Sequence, residues 1–414
     1  MSEITWEITS LSELGTFSRG KSKHRPRNDV KLFEGGKYPL VQTGDVKAAN
    51  LYITKNDSYY NDFGLKQSKL WAAGTLCITI AANIAETAIL SYPMCFPDSI
   101  VGFNANPEKS SELFVYYFFE YIKKEIQKSA SGSIQDNINI DYLSKMRIKV
   151  PEKKYQDKIV ELLSSIDKKI LLNNQINQEL EAMAKTLYDY WFVQFDFPDQ
   201  NGKPYKSSGG KMVYHPEIKR EIPEGWGVDS LWNIANFYNG LAMQKYRPDT
   251  NEDDYLPVIK IREMMNGFTK DTEKARLDIP TEAVVESGDI LFSWSATLEI
   301  IIWGKERGAL NQHIFKVTSD TYPKSFIYFE LKSYLKVFKS IAELRKTTMG
   351  HITQDHLKQA KIVVPPIEII SKLDAKLQPI MLKQQILENQ NQELIQLRDW
   401  LLPMLMNGQV KVER

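Results

Sequence analysis

Two stretches of this sequence repeat each other: WEITSLSELGTFSRG at residues 6–20 and WGVDSLWNIANFYNG at residues 226–240. They share five identities in fifteen positions, where unrelated stretches would share about one. The identical pairs are Trp6/Trp226, Ser10/Ser230, Leu11/Leu231, Phe17/Phe237 and Gly20/Gly240. Because an internal repeat constrains the architecture more strongly than any short motif, we expect two copies of one structural unit.

Further matches keep the two copies aligned along most of the chain. They are Pro39/Pro257, Gly74/Gly288, Asp141/Asp355, Leu143/Leu357, Val150/Val364, Pro151/Pro365 and the tetrapeptide NQEL at 177–180 and 391–394. Each copy starts with strand-like segments, continues with an amphipathic helix (112–129 or 324–345) and a glycine turn (Gly132 or Gly350), and ends in a long helical pattern. We predict an α+β fold in which two α/β domains, each followed by a long helix, form a pseudo-twofold internal repeat.

The two long helical patterns have the heptad spacing of a coiled coil. Their core positions alternate steps of four and three residues. The two series are Ile159, Leu163, Ile166, Ile170, Asn173, Asn177, Leu180, Ala184, Leu187, Trp191 and Leu373, Leu377, Ile380, Gln384, Leu387, Asn391, Leu394, Arg398, Leu401. Two such helices in one chain most simply pack on each other. If they are antiparallel, the domains that precede them stand at opposite ends of the pair.

These patterns divide the sequence into five predicted segments. They are a first domain (1–150), a first helix (151–195), a linker (196–222), a second domain (223–364) and a second helix (365–414). The linker is predicted because PDQNGKPYKSSGGK is rich in Gly, Pro, Ser and Lys and has no periodicity.

One polar residue of each heptad series is a candidate for fixing the helix register. Asn177 and Asn391 each open an NQEL tetrapeptide, so they are equivalent by the repeat. Equivalent residues of an antiparallel pair meet near its twofold axis, where a buried pair of Asn side chains would set the register at some cost in stability. The alternative is that both side chains face water.

Composition excludes several classes of protein. The 414 residues are 43% hydrophobic and 25% charged, which is ordinary globular composition and excludes a disordered or collagen-like chain. Lysine plus arginine (53) balances aspartate plus glutamate (52), so any nucleic-acid surface must be local. Only Cys77 and Cys95 are present, and no apolar run is long enough to span a membrane. We expect a soluble protein of the reducing cytoplasm.

A phosphate-loop pattern in the first copy is rejected on its context. Residues 15–22 satisfy GxxxxGK[ST], but that loop requires a buried strand before it and a helix after it. Here the charged, proline-containing KHRPRND follows instead. The second copy has Ala235 and Leu241 in place of Gly15 and Lys21. A nucleotide-binding enzyme remains the alternative.

The same segment is a candidate for contacts to DNA phosphates. RGKSKHRPR contains five cations and no acid, namely Arg19, Lys21, Lys23, Arg25 and Arg27. The second copy keeps Lys245 and Arg247 ahead of an acidic run. The alternative is an ordinary solvated loop.

Other polar residues are predicted to contact DNA. Gln42 and Thr43 lie in the aligned segment PLVQTGDV, and Lys260 and Arg262 lie in its partner PVIKIREM. His313 and His351 are candidates for base or phosphate contacts, with ordinary polar surface as the alternative.

The sequence contains no recognisable catalytic centre. It lacks the [DNS]PP[YFW] tetrapeptide of enzymes that methylate base amino groups, and its Pro-Asp pairs lack the acid-x-Lys that would complete a nuclease metal site. The five His and two Cys show no metal-ligand spacing. We therefore predict no catalytic residue and no metal site.

The helices, linker and tail resemble the specificity subunit of Type I restriction-modification systems. The segments that carry the resemblance are VPEKKYQDKIVELLSSIDKKI, VVPPIEIISKLDAKLQPI, both copies of NQEL, NGKPYKSSGGKMVYHPEIKREIPEGW and LLPMLMNGQVKV. The resemblance covers essentially the whole chain. It implies two target recognition domains, each reading one half of a split double-stranded DNA site, with the antiparallel coiled coil setting the spacer.

The resemblance also implies partners that do the chemistry. Methyltransferase subunits, two per chain, would bind S-adenosylmethionine, and restriction subunits joined through them would use ATP and Mg, so this chain itself would bind no cofactor. Two alternatives to a conventional specificity subunit stay open. One is an orphan or phase-variable specificity subunit, and the other is a coiled-coil scaffold that binds no DNA.

Overall fold

The computed structural model describes residues 4–81, 83–131, 139–249, 254–269, 271–344 and 351–412. The chain forms two compact units. The first comprises Met1–Leu171 with Glu393–Arg414, and the second comprises Leu172–Gln392. The predicted turns at Gly132 and Gly350 lie outside the described residues.

The helices include two that are much longer than the rest. They are α1 (Leu11–Leu14), α2 (Thr43–Ala48), α3 (Asp62–Gln67), α4 (Glu112–Ser131), α5 (Ile140–Lys145), α6 (Lys153–Tyr188), α7 (Leu231–Ile234), α8 (Ile261–Asn266), α9 (Lys324–Leu344), α10 (Gln354–Gln359) and α11 (Ile367–Met406). A π-helical turn at Asp189–Val193 continues α6, and short 3-10 turns lie at Val30–Leu32, Met243–Tyr246 and Thr281–Ala283.

The first unit contains two sheets and a separate strand pair. Its strands are β1 (Trp6–Ser10), β2 (Gly15–Arg19), β3 (Tyr38–Leu40), β4 (Tyr52–Ile53), β5 (Ser58–Tyr60), β6 (Leu70–Trp71), β7 (Leu76–Thr79), β8 (Thr87–Leu90), β9 (Met94–Cys95), β10 (Ile100–Ala105) and β11 (Arg147–Pro151). One sheet has the order β2-β10-β7-β8-β4 and the other β5-β3-β9-β6, while β1 pairs with β11. This last pair joins the two ends of the domain just before α6 begins.

Strand β7 shows how the core of the first unit is built. Alternate side chains of a strand point to opposite faces of its sheet. Leu76 and Ile78 pack in the cluster that contains Phe114 of α4. Cys77 points the other way, into the cluster that contains Trp71 and the second sheet. Both faces of the strand are therefore buried, and Cys77 is a buried free thiol.

The second unit repeats this arrangement, which confirms the internal repeat. Its strands are β12 (Met212–His215), β13 (Arg220–Pro223), β14 (Gly227–Ser230), β15 (Asn236–Asn239), β16 (Tyr255–Ile259), β17 (Lys274–Arg276), β18 (Val284–Val285), β19 (Ile290–Ser293), β20 (Glu299–Ile302), β21 (Gly308–Leu310), β22 (Ile314–Thr318) and β23 (Lys361–Val364). The sheets have the orders β15-β22-β19-β20 and β17-β16-β21-β18. Strand β14 pairs with β23 as β1 pairs with β11, and the parallel pair β16/β21 matches β3/β9.

The segment 196–222, predicted to be a linker, has regular structure and contacts with a core. The segment contains the β12–β13 hairpin, and Phe197 and Ile222 are buried in the core of the second unit beside Trp226. The ring of Phe197 lies 4.9 Å from that of Trp226. The segment is polar overall, so its few apolar residues gave no pattern in the sequence. Burial of these few side chains is enough to hold a short segment against a core.

The heptad prediction is confirmed for the two long helices, which pack on each other as antiparallel segments within each unit. In the first unit, Ile159 and Leu163 of α6 are fully buried, and Asp167 accepts a hydrogen bond from Arg398 of α11 at 2.8 Å. In the second unit, Leu377 is fully buried, and Asn177 donates to the carbonyl of Gln384 at 3.4 Å. Within the second unit, Asn173 contacts Asn391 and Asn177 contacts Gln384, so the two helices run in opposite directions there.

Candidate nucleic-acid interface

The basic loop of the first unit leaves the sheet at a position that only glycine can occupy. Gly20 follows β2, and its N–H donates to the carbonyl of Ile100 at 2.9 Å. A Cβ atom there would lie 2.1 Å from the carbonyl oxygen of Pro97. Gly240 has the same constraint in the second unit, where a Cβ would lie 2.2 Å from the carbonyl oxygen of Asn311. Close packing of two loops therefore explains why residue 20 is a glycine. The phosphate-loop pattern would instead attribute this glycine to nucleotide binding.

Three predicted cations of the loop converge on one residue, Asp98. Arg27 lies 2.7 Å and Arg25 3.8 Å from the carboxylate oxygens of Asp98, and the Nε of Arg19 donates to the backbone carbonyl of Asp98 at 2.6 Å. The side chains of Arg25 and Arg27 are about half exposed. Asp98 thus gathers the guanidinium groups at one point and leaves them open to solvent. Sequence reasoning missed Asp98, which is 71 residues from Arg27.

Lys21 and Lys23 are exposed but stand apart from this cluster. The backbone N–H of Lys21 donates to the carbonyl of Phe96, and that of Lys23 donates to the side chain of Gln67 at 2.7 Å. Their backbones are therefore held, while their side chains face water.

The same edge of the first unit carries a cavity of about 640 Å³. Polar residues from several loops line it, namely Ser22, Arg27, Gln42, Thr43, Ser58 and Ser99. The structure therefore brings the predicted residues Gln42 and Thr43 next to Arg27, although 15 positions separate Arg27 from Gln42. Phe33, Leu40, Tyr60 and Pro97 line it as well, so the surface is concave, partly apolar and partly basic. Such a surface suits a ligand that offers both phosphates and flat, hydrogen-bonding bases.

In the second unit, the predicted cations gather around Glu273. Lys260 donates to its carboxylate at 2.5 Å. The pKa of Glu273 is lowered, first by this hydrogen bond and further by the charges of Lys260, Arg247 and Arg262. Arg262 also donates to the buried carboxylate of Glu263 through Nε at 2.8 Å and Nη2 at 2.6 Å. Lys245 is exposed on the adjoining turn.

The two predicted histidines flank a tryptophan that sequence reasoning missed. The ring of Trp294 lies 5.6 Å from that of His313 and 6.3 Å from that of His351. Its Nε1 donates to Asn239 at 2.9 Å. The turn before His313 is tied to the Lys260 region, because the N–H of Asn311 donates to the carbonyl of Ile259 at 3.1 Å. One edge of this unit therefore holds both groups of predicted residues, and their contact with DNA stays a prediction.

The predicted pairing of Asn177 with Asn391 is wrong. The buried partner of Asn391 is Asn173, which is fully buried and donates to it at 2.9 Å, while Asn391 donates to Asn174 at 2.8 Å. The repeat makes Asn177 and Asn391 equivalent in sequence, but the packing register places Asn391 one helical turn away from that partner. A polar contact at the helix core is present, with Asn173 in the predicted role.

This polar contact is expected to reduce stability. The Oδ1 of Asn173 is buried and has no hydrogen-bond partner among the described residues. Replacing both Asn173 and Asn391 by Leu should raise the free energy of unfolding by about 1–3 kcal/mol, the usual cost of a buried unpaired polar group. Thermal unfolding followed by circular dichroism measures this. The exposed Gln178→Leu is the matched control and should change stability by less than about 0.5 kcal/mol. A double variant less stable than the parent would contradict the assignment.

The described residues contain no group of three or more His, Cys, Asp or Glu placed to hold a metal ion, and no helix among them is long and apolar enough to cross a membrane.

Comparisons with known proteins agree with this architecture. The family model described as Type I restriction modification DNA specificity domain matches residues 3–182 and again 223–397. The chain is 25% identical to the type I restriction enzyme MjaIX specificity subunit of Methanocaldococcus jannaschii, over 99% of this chain and 94% of that protein. It is 26% identical to the HindI specificity subunit of Haemophilus influenzae, over 93% and 97% respectively. The crystal structure of the S subunit from M. genitalium has the same fold, with a TM-score of 0.56, 16% identity and coverage of 98% of this chain and 97% of that one.

Proposed function

The chain belongs to the Type I restriction modification DNA specificity family, and we propose that each of its two specificity domains reads one half of a split DNA site. The observation that carries the proposal is the repetition of one loop-bearing edge in both units. The backbone turns at Gly20 and Gly240 are the same, whereas the side chains around them differ. Two copies of one scaffold with different loops are suited to reading two different sequences.

The helix pair sets the distance between the half-sites in this proposal. Helix α6 has 36 residues and α11 has 40, which at about 1.5 Å per residue is roughly 54 and 60 Å. The part from Ile159 to Leu187 spans roughly 42 Å by the same rise. One turn of DNA is about 34 Å, so helices of this length suit half-sites a little over one turn apart.

The chain has a recognition role without catalysis, and we assign the chemistry to partner subunits. Methyltransferase subunits would bring S-adenosylmethionine, and restriction subunits attached through them would bring ATP and Mg. A chain that recognises DNA and leaves catalysis to its partners needs groups that bind phosphates and base edges. The arginine, amide and hydroxyl groups around the cavity are groups of this kind.

The long helices offer a surface for the methyltransferase subunits. Leu382 and Ile386 lie one turn apart on α11 and are 59% and 51% exposed, although both are apolar. Leu172 and Met183 are about half exposed on α6. The repeat relates Leu172 to Ile386, so the same exposed apolar character recurs in each helix. Exposed apolar residues on both long helices mark protein contacts, and one such surface on each helix would accept one methyltransferase subunit.

Placing lysines on this surface should release methyltransferase subunits. We expect Leu382→Lys with Ile386→Lys, and separately Leu172→Lys with Met183→Lys, each to lower the number of bound methyltransferase subunits from two to one. Native mass spectrometry of the co-expressed complex counts them. The control is Lys383→Ala, an exposed neighbour on α11. Two bound subunits in both double variants would exclude this surface.

Removing four of the five cations of the loop should weaken binding without changing the sequence preference. Replacing Lys21, Lys23, Arg25 and Arg27 by Ala should reduce affinity for matched and unmatched DNA alike. The slope of log K against log salt should fall by about 0.9 for each phosphate that is no longer neutralised. Affinity titrations of the methyltransferase complex at several salt concentrations measure this. Replacing the exposed Lys124 and Lys145 is the control. An unchanged slope would mean that the loop is merely solvated.

Footprinting tests the proposed function against the scaffold alternative. The chain, assembled with methyltransferase subunits of a Type I system, should protect a defined sequence in a library of genomic fragments. Two protected half-sites on either side of an unprotected gap are expected. A scaffold protein would leave no sequence-specific footprint, with or without the partner subunits, and that outcome would overturn the proposal.

A further inference from the structure

Equivalent positions on the loop-bearing edges of the two units carry different chemistry. Gln42 precedes α2 and Lys260 precedes α8, and both helices have six residues. Pro39 of β3 and Pro257 of β16 are equivalent in the repeat. Gln42 lies three residues after Pro39, and Lys260 lies three residues after Pro257. The two side chains therefore occupy one structural position in two copies of the fold.

A second pair of positions lies beside the first. In the first unit, Ser58 of β5 pairs with Leu40 of β3. In the second unit, the carbonyl of Glu273 accepts from the N–H of Val258, the residue of β16 that matches Leu40. Ser58 and Glu273 are thus equivalent. The first unit combines Gln42 with Ser58, and the second combines Lys260 with Glu273.

The pair in the second unit offers one donor group and one acceptor group side by side. The Nζ of Lys260 lies 2.5 Å from the carboxylate of Glu273, and about a third of each side chain is exposed. A G·C pair shows the complementary pattern in the major groove, with the acceptors N7 and O6 on guanine and the N4 amino donor on cytosine. Lysine suits the guanine acceptors, and a carboxylate suits the cytosine amino group.

The pair in the first unit carries no charge. Gln42 is exposed, and it lines the 640 Å³ cavity together with Ser58. The side chain of Gln42 accepts from the backbone N–H of Asp45 in the capping box of α2. Its NH2 group and the second lone pair of its oxygen remain available, and they match the N7 acceptor and N6 amino donor of adenine. A serine hydroxyl pairs with either kind of base edge, so Ser58 adds contact without adding selectivity.

From these equivalences we infer that Gln42 selects an A·T pair in the half-site of the first domain, and that Lys260 with Glu273 selects a G·C pair at the corresponding position of the other half-site. The inference rests on the proposed function and extends it to the bases read. Arg25 and Arg27, held at Asp98, keep their proposed role as phosphate contacts of the first unit.

Reciprocal exchange of the two pairs tests this inference. Gln42→Lys with Ser58→Glu should replace an A·T by a G·C preference at one position of the first half-site, and Lys260→Gln with Glu273→Ser should do the reverse in the second. Each preference should change by roughly 5- to 140-fold, the discrimination expected of one good base contact. Selection from DNA with randomised half-sites, bound by the assembled methyltransferase complex and then sequenced, reads every position at once. Lys245→Gln is the control, since removal of an exposed phosphate contact should weaken binding to all sequences equally.

Single substitutions keep the inference testable if a double variant fails to fold. Gln42→Glu changes an exposed side chain by one atom and places two acceptors where adenine N7 requires a donor. It should lose the A·T preference at one position while the second half-site stays unchanged. Selected sequences identical to those of the parent, from folded variants that still bind, would overturn the inference. A parent complex that selects no sequence would instead overturn the proposed function.

Discussion

Exchanging residues 223–364 for the second domain of another family member is expected to replace one half of the recognised site and leave the other half intact. The exchanged part starts where β13 ends and finishes where β23 ends, so it includes the β14–β23 pair that closes the domain. Specific sites are typically bound about 10³-fold or more tightly than unrelated DNA, so the switch should be nearly complete. Mapping methylated adenines in cells that express the hybrid shows both halves.

The structure dictates a control for this exchange. Phe197 and Ile222 lie before the exchanged part and pack in the core of the second unit with Trp226. A hybrid that takes residues 196–364 from the donor keeps this packing matched and should give the same specificity with higher stability. A change in both half-sites in either hybrid would contradict separate reading by two domains.

Lengthening both long helices by seven residues is expected to lengthen the preferred spacer by about three base pairs. Seven residues add about 10 Å at about 1.5 Å each, and a base pair occupies roughly 3.4 Å. The insertions belong at facing positions, after Gln175 in α6 and after Asn389 in α11, because contacts of Asn173 with Asn391 and of Asn177 with Gln384 bracket that point.

The longer helices should also weaken binding. Three base pairs rotate one half-site by roughly 100° around the duplex, since a turn holds about 10.5 base pairs. Methylation of a library of sites with spacers of different lengths shows the preference directly. Insertion of seven residues into α6 alone is the control and should disrupt the pairing of the helices. A folded, active variant of the double insertion with an unchanged spacer preference would contradict the role of the helices as a ruler.

The features that could be predicted from the sequence are those that leave a periodic or repeated pattern of residues. The repeat predicted two equivalent domains, and the heptads predicted α6 and α11, because burial of one helix face imposes a spacing that can be read directly from the residues. The register of the helices was off by one turn. The sequence identity between the two copies suggested Asn177 as the partner of Asn391. The actual partner is Asn173, because the packing of the two helix faces decides which residues meet.

The site was predicted only where its residues are close together in the chain. The cluster from Arg19 to Arg27 is visible as a run of cations, but Asp98 joins it through folding alone. Trp294 was missed because a tryptophan in a strand-rich segment is ordinary core sequence, and its place between His313 and His351 depends on two distant loops. The packed segment with Phe197 was missed because its apolar anchors are few and widely spaced.

One measurement tests the central claim most directly. Adenine methylation is mapped across the genome of a host that expresses this chain together with Type I methyltransferase subunits, and in the same host without this chain. We predict methylation that depends on the chain and falls in a site of two defined half-sites separated by a gap of fixed length and unspecified sequence. Methylation at an uninterrupted site, or an identical pattern in the absence of the chain, would contradict this prediction.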